Sequence, residues 1–439
     1  MRAALLSALF VVASLSFVGC GNVGAPPAPS SGVAARVLAS QSASSPVAFP
    51  GLVIIDGQID ALVRAPAISA GSSPGLMAIS PDRTTLVAFD STSNSAEIVN
   101  TQKLTSTGSI PLGGSTTSMV VLDTGFGYAA VPAASFEAGP SPGAIQVMNL
   151  RAGSLAASVS VPNAQWVVAS PDGSRLLVFS ADSDVMTIVY PLLVNTNSPD
   201  TATIAGFDRP AYAVFSSDGN TAYVLNCGAQ CGGTQASVQV LNLSTTPPTF
   251  GPLIPVNGAT IGFLSGSTLY VAGTGTPTGP LCSSIINAAP TAAKYCGTLD
   301  LVDLTTMQDP YYNNPATEIA ITDGYHDRID MSVNGQLFIG SYTCTNVGDV
   351  NDPQGEVRGC LSIYNTTTGA VVIPPDNGDV TGLQSFASRD VEYVVEGGNV
   401  RVYNTLTDTL LIYTYYNIVE TGTILITGYM IDVKAIDFF

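Results

Sequence analysis

The chain has one histidine, one tryptophan and three lysines among 439 residues, and only 10% of its residues are charged. Each scarcity excludes something. Haem and copper centres need several imidazole or thioether ligands converging on one metal, and a single histidine cannot provide that set. A nucleic-acid surface needs clustered basic residues to displace counterions from phosphates. Here 14 basic residues face 32 acidic ones, for a net charge of -18, and Lys103, Lys294 and Lys434 stand far apart. Nucleic acid is excluded as a partner. Convincing helical periodicity is missing, as are phosphate-binding loops, dinucleotide fingerprints, nucleophile elbows and zinc-binding helix motifs. Low charge here does not mean disorder, because hydrophobic residues make up 46% of the chain and supply a large core.

The N-terminus carries an address. Met1 and Arg2 begin it, and residues 3 to 18 form an apolar segment too short for a usual membrane anchor. It reads as an export signal spanning 1–19. Its end, Phe17-Val18-Gly19-Cys20, resembles a bacterial lipobox, which implies acylation of Cys20 as the mature N-terminus. Residues 20–34 are a Gly/Pro/Ser tether, and 35–439 form the folded domain. Gly21 follows the cysteine where Asp would alter sorting, so the expected location is the outer membrane, with the lipid as the only membrane contact.

Of the seven cysteines, six remain after Cys20, and they fall into local pairs: Cys227 with Cys231, Cys282 with Cys296, and Cys344 with Cys360. An exported protein keeps such pairs as disulfides. A zinc site is the weaker reading, since CGAQC has no matching second half and no nearby histidine.

Beyond residue 34 the sequence is a succession of short apolar strands broken by Gly, Pro, Asn, Asp and Ser. LMAISPDRTTLVAF, WVVASPDGSRLLVF, YAVFSSDGNTAYVL and IDMSVNGQLFIG share one form: strand, tight polar turn, strand. A third strand ending on a polar residue or Tyr follows each. Third-strand ends fall at Asp56, Asn100, Asn149, Tyr190, Asn242, Asp303, Asn365 and Asn404. Turns after first strands fall near Asp82, Thr124, Asp172, Asp218, Ser265, Asn334, Arg389 and Asp437. Both series have eight members, but one starts a copy early and the other ends a copy late. That offset marks a closed ring in which MIDVKAIDFF supplies the innermost strand of a blade begun by residues 35 to 72. The expected fold is all-β: a β-propeller of eight four-stranded antiparallel blades, with seven as the alternative count.

At these residues the chain resembles YVTN-type bacterial surface propellers, whose repeat runs SPDG, a YV-rich strand, then a V-x-V-x-N/D strand. The resemblance implies a surface or secreted protein. Similar repeats accompany lactonase-like and haem- or copper-enzyme propellers.

In such a blade the loops between second and third strands share one face with the links between blades. All three cysteine pairs fall in those loops, in the fourth, fifth and sixth repeats, while the SPDG turns mark a plain opposite face. Scaffolded loops commonly carry recognition, so the braced face is the expected binding surface. The link Asp323-Gly324-Tyr325-His326-Asp327-Arg328 is placed on it, and Tyr325, His326, Asp327 and Arg328 are the candidate binding residues. His326 is a possible general base, yet no nucleophile is marked, so no catalytic residue is assigned. Asp208-Arg209 repeats the Asp-Arg pair and suggests inter-blade ion pairs. Asp349, Asn351, Asp352 and Glu356 offer oxygen ligands around a glycine, a calcium site set against a solvated acidic loop; no other cofactor is expected. Trp166 reads as blade packing.

The favoured function is a lipid-anchored extracytoplasmic scaffold that binds an envelope protein or a glycan. A lactonase-like or other hydrolase is the first alternative, and a self-assembling surface-layer or filament subunit the second.

Overall fold

Strands buried on both faces by neighbouring blades need apolar side chains in both directions, and strands at the rim do not. The computed structural model shows this gradient most clearly in blades 2 to 5. It describes residues 33–42, 51–63, 65–135, 142–191, 200–275, 297–314, 316–344, 347–348, 357–374, 378–406, 420–424 and 428–437. Eight four-stranded antiparallel sheets are arranged as a β-propeller, so eight is the blade count and seven is not.

Blade 1 is composite. Its innermost strand is Tyr429–Ala435, followed outward by Arg36–Ser42, Leu52–Asp56 and the short Ala61–Leu62. Val37 lies opposite Ala435 and Ala39 opposite Val433, so the two ends of the chain share one sheet as the offset predicts. The innermost strands of blades 2 to 8 are Pro74–Ile79, Ser118–Val121, Ala164–Ala169, Pro210–Phe215, Ile261–Ser265, Tyr325–Met331 and Val380–Phe386. Each touches the next, and Val380–Phe386 touches Tyr429–Ala435, which closes the ring. All eight third strands end at the expected residues, from Asp56 to Asn404.

The SPDG turn has a chemical reason. In blade 4 the Ser170 hydroxyl donates to Asp172 Oδ1 at 2.6 Å and accepts from the Arg175 N–H at 3.0 Å. Asp172 Oδ1 also accepts from the Ser174 N–H at 3.0 Å. Gly173 takes the positive φ of 66° that closes the turn. The same bonds recur at Ser80/Asp82/Thr84 and at Ser216/Asp218/Asn220. Hydrogen bonds to the side chains of Ser170 and Ser174 hold the Asp172 carboxyl down at about 2, within its charged range.

No single core fills the molecule. Eight apolar clusters lie one between each pair of neighbouring blades. Leu176, Val178 and Ile145 sit between blades 3 and 4, and Tyr393, Val395 and Val433 between blades 8 and 1. Fully burying each such side chain contributes about 1.5–3 kcal/mol. Outer strands such as Thr105–Pro111 and Ser154–Ser160 are mostly exposed and read as Ser, Thr, Gly and Ala-rich sequence with few charges. Low overall charge therefore follows from many buried strands and small-residue rims.

Candidate functional site

The second-to-third-strand loops and the inter-blade links share one face, as expected. Cys227 and Cys231 are bonded across a single 3-10 turn after the second strand of blade 5. A Cβ at Gly228 would strike the backbone of Ala236, and its φ of 62° favours glycine for a second reason. The turn carries Gln230 sideways. Its Nε2 donates to the Gly324 carbonyl at 3.0 Å, and its Oε1 accepts from the Thr274 N–H at 2.8 Å. Thr274 Oγ1 donates to the same carbonyl at 2.7 Å. One side chain thus bolts blade 5 to a strand end of blade 6 and to the link entering blade 7.

Cys344 and Cys360 close the corresponding loop of blade 7, with Cα atoms 5.6 Å apart. A Cβ on Gly324 would come within 3.0 Å of the Cys344 Cα, so link and disulfide loop are packed together. The Thr343 N–H donates to Asp379, in the link to blade 8, at 2.9 Å. Disulfides persist in oxidising compartments, so both suit an extracytoplasmic location. Among the described residues no helix is long and apolar enough to cross a membrane. Cys20, Cys282, Cys296 and the calcium candidates Asp349, Asn351, Asp352 and Glu356 lie outside the described residues. Among the described residues no group of three or more His, Cys, Asp or Glu side chains is arranged to hold a metal.

Tyr325, His326, Asp327 and Arg328 are not in a link. They open the innermost strand of blade 7, which starts one residue after Gly324 turns the chain at φ 100°. His326 is fully buried. Its Nε2 donates to the Thr322 carbonyl at 2.8 Å, and Nδ1 is buried with no partner. Burial pushes its pKa down to about 4, so the ring is neutral at ordinary pH. A general base in contact with solvent is ruled out by this position. Asp327 bonds Arg328 Nη1 at 2.9 Å, and burial, partly offset by that guanidinium, lifts its carboxyl to about 6. Tyr325 packs its ring 5.5 Å from that of Tyr342, and burial raises its hydroxyl to about 12.

Asp208 and Arg209 are not paired with each other. Asp208 caps the cysteine turn by accepting from the Thr234 and Gln235 N–H groups. Arg209 instead reaches Asp184 of the preceding blade at 3.8 Å, an inter-blade ion pair with a partner the sequence did not mark.

Sequence reasoning missed the centre of the channel. Arg328 Nε donates to the Thr381 carbonyl of blade 8 at 2.8 Å, and the guanidinium lies 5.9 Å from the ring centre of Trp166 in blade 4. Blades 7 and 4 are not neighbours, so this contact spans the channel. Trp166 in turn meets Tyr212 of blade 5 edge-on, 5.9 Å between ring centres. Trp166 therefore packs against the blade 4–5 cluster and also faces the channel.

The acidic groups of the channel wall are engaged. Asp330 accepts from the Ser385 N–H of blade 8 at 2.9 Å, and Asp432 of blade 1 from the Met77 N–H of blade 2 at 2.8 Å. Lys434 bonds Asp432 at 2.9 Å. Each carboxylate staples one innermost strand to the next.

The turn face is not plain. A cavity of about 730 Å³ opens there between the innermost strands and turns of blades 4, 5 and 6, with Tyr212 in its wall.

No protein-family model matches the sequence, and no curated protein does. Solved structures do. Dihydro-haem d1 dehydrogenase NirN is 13% identical, with a TM-score of 0.58 over 94% of this chain and 79% of that one. A candidate 6-phosphogluconolactonase of Bacteroides fragilis is 13% identical, with a TM-score of 0.50 over 79% of this chain and 95% of its own. The periplasmic gluconolactonase of Pseudomonas aeruginosa is 15% identical, with a TM-score of 0.47 over 91% and 98%. At these identities the likeness to the first two is one of fold: the chain shares the β-propeller architecture with them.

Proposed function

We propose that this protein is an exported, lipid-anchored propeller of the YVTN type that acts as a binding scaffold, recognising an envelope protein or glycan through its disulfide-braced loop face. Acylated Cys20 and the 20–34 tether hold the domain to the outer membrane in this reading. The observation that carries it is the Gln230 bridge, which ties the cysteine turn of blade 5 to a strand end of blade 6 and to the link entering blade 7 before any partner arrives. Ordering loops on binding costs affinity, and a pre-fixed face avoids that cost. The test is capture from native membranes by the wild-type domain and by Gln230→Ala. A specific envelope partner retained by the first and weakened with the second supports the reading; equal retention by both contradicts it.

A hydrolase of the lactonase type is the second reading, favoured by one observation. Asp327, lifted to about 6 and with Oδ1 buried and unpartnered, stands beside Arg328 in the channel. A carboxylate in that range suits proton transfer near neutrality, and the guanidinium suits a developing anion. Hydrolysis of sugar-acid lactones that disappears in Asp327→Asn, with folding intact, would support it. No hydrolysis by the wild type would remove it.

A further inference from the structure

We propose that the turn-face vestibule of the channel binds a small, uncharged, largely apolar molecule, independently of the loop face. Its volume of about 730 Å³ falls within the roughly 300–1,000 Å³ of pockets that hold small molecules. Val168, Tyr212, Val214, Phe263 and Leu264 form its wall, and each is only half-buried. Each packs one side against an inter-blade cluster and leaves the rest of its surface in one concave patch, a driving force for a ligand.

The lining selects the chemistry. No residue around the cavity carries a charge. An ionic group buried there would lose its hydration with no counter-ion to replace it. The charged groups of the channel, Asp327, Arg328, Asp330, Asp432 and Lys434, come from blades 7 and 1 and are bonded to one another or to backbone. The rim supplies hydroxyls instead, from Ser217 and Ser267, at the turns of blades 5 and 6. A ligand with an apolar body and a neutral hydroxyl or carbonyl end matches both zones. Tyr212 walls the cavity on one side and meets Trp166 on the other.

Trp166 is the sole tryptophan and packs against Tyr212, so energy transfer has a single donor beside the cavity, and the filling variants assign the signal to the site. The experiment titrates the full domain with neutral N-phenyl-1-naphthylamine and with anionic 8-anilinonaphthalene-1-sulfonate, reading energy transfer from Trp166. The expected result is saturable one-to-one binding of the neutral probe and weaker binding of the anionic one. Val214→Phe and Val168→Phe each fill the cavity with apolar volume and are expected to weaken the neutral probe by about tenfold or more. Leu253→Ser removes an apolar group that is 58% exposed on the outer strand of blade 5 and is expected to change nothing. Circular dichroism identifies any filling variant that misfolds, in which case the other is read. Absence of saturable transfer, stronger binding of the anionic probe, or binding lost in Leu253→Ser but kept in the filling variants would each overturn the proposal.

Discussion

Arg36 and Asp437, 401 positions apart, form a two-pronged ion pair at the seam of blade 1: Nε lies 2.8 Å from Oδ2 and Nη2 2.5 Å from Oδ1. Arg36 is 2% exposed, and its Nη1 also donates to the Thr101 carbonyl of blade 2 at 3.0 Å. The pair locks the C-terminal strand to the N-terminal one and so holds the ring shut.

Removing one partner leaves the other charge buried without compensation, which costs about 3–5 kcal/mol. Asp437→Asn and Arg36→Met should therefore each lower stability by that order, and the double variant by less than their sum. Calorimetry of the three variants checks this. Additive losses would mean that the pair does not close the ring.

His326 and Asp327 act on stability with opposite signs. The folded state holds His326 at about 4 against its ordinary 6.5, so its contribution is full above 6.5 and lost as pH falls towards 4, about 3 kcal/mol in all. Asp327, raised to about 6 from 3.8, contributes stability that is full below 3.8 and lost as pH rises towards 6, again about 3 kcal/mol. Between pH 4 and 6 the two nearly cancel. Relative to wild type, His326→Gln should gain melting temperature on acidification through this window, and Asp327→Asn should lose it. Identical pH profiles for all three proteins would refute both assignments.

Glu392 is fully buried in blade 8 beside Asp330. Burial first, and then the neighbouring Asp330, push its carboxyl well above the ordinary range. The unfolded chain ionises this group from its ordinary 4.5 while the folded chain holds the proton to higher pH, so stability falls as pH rises above 4.5. Glu392→Gln should melt with wild type below pH 4.5 and increasingly above it as pH rises. Thermal scans across pH decide; a constant difference at every pH would contradict the argument.

Gln230 makes two cross-blade hydrogen bonds. At about 1 kcal/mol each, Gln230→Ala should cost about 2 kcal/mol locally. Hydrogen exchange should rise at Thr274 and around Gly324, with exchange in the Ser237–Asn242 strand unchanged. Faster exchange throughout the domain would mean that the turn is part of the general core and not a brace.

The ring was legible because its signals are local. A strand buried on both faces has to be apolar until it leaves the sheet, so a polar residue such as Asn242 or Asn365 marks the exit. Ser170 and Asp172 spell out their turn for the same reason. The start of the innermost strand of blade 7 was hidden. Tyr325-His326-Asp327-Arg328 is polar because an innermost strand borders a channel, and hydropathy alone assigns such residues to a link. The contact between Arg328 and Trp166 had no signal at all, since it joins blades on different sides of the ring. The turn-face cavity was hidden too, because Tyr212 and Phe263 read as ordinary strand aromatics until their half-exposure is seen.

Recognition through the braced loop face is tested in native envelopes by a photo-crosslinking residue at Thr343, exposed beside the Cys344–Cys360 bridge, and another at Lys103, exposed on the turn face. Binding on that face gives one specific protein or glycan adduct from position 343, reduced when Gln230→Ala is added, and none from position 103. Adducts formed only from position 103, or none from 343, would contradict it.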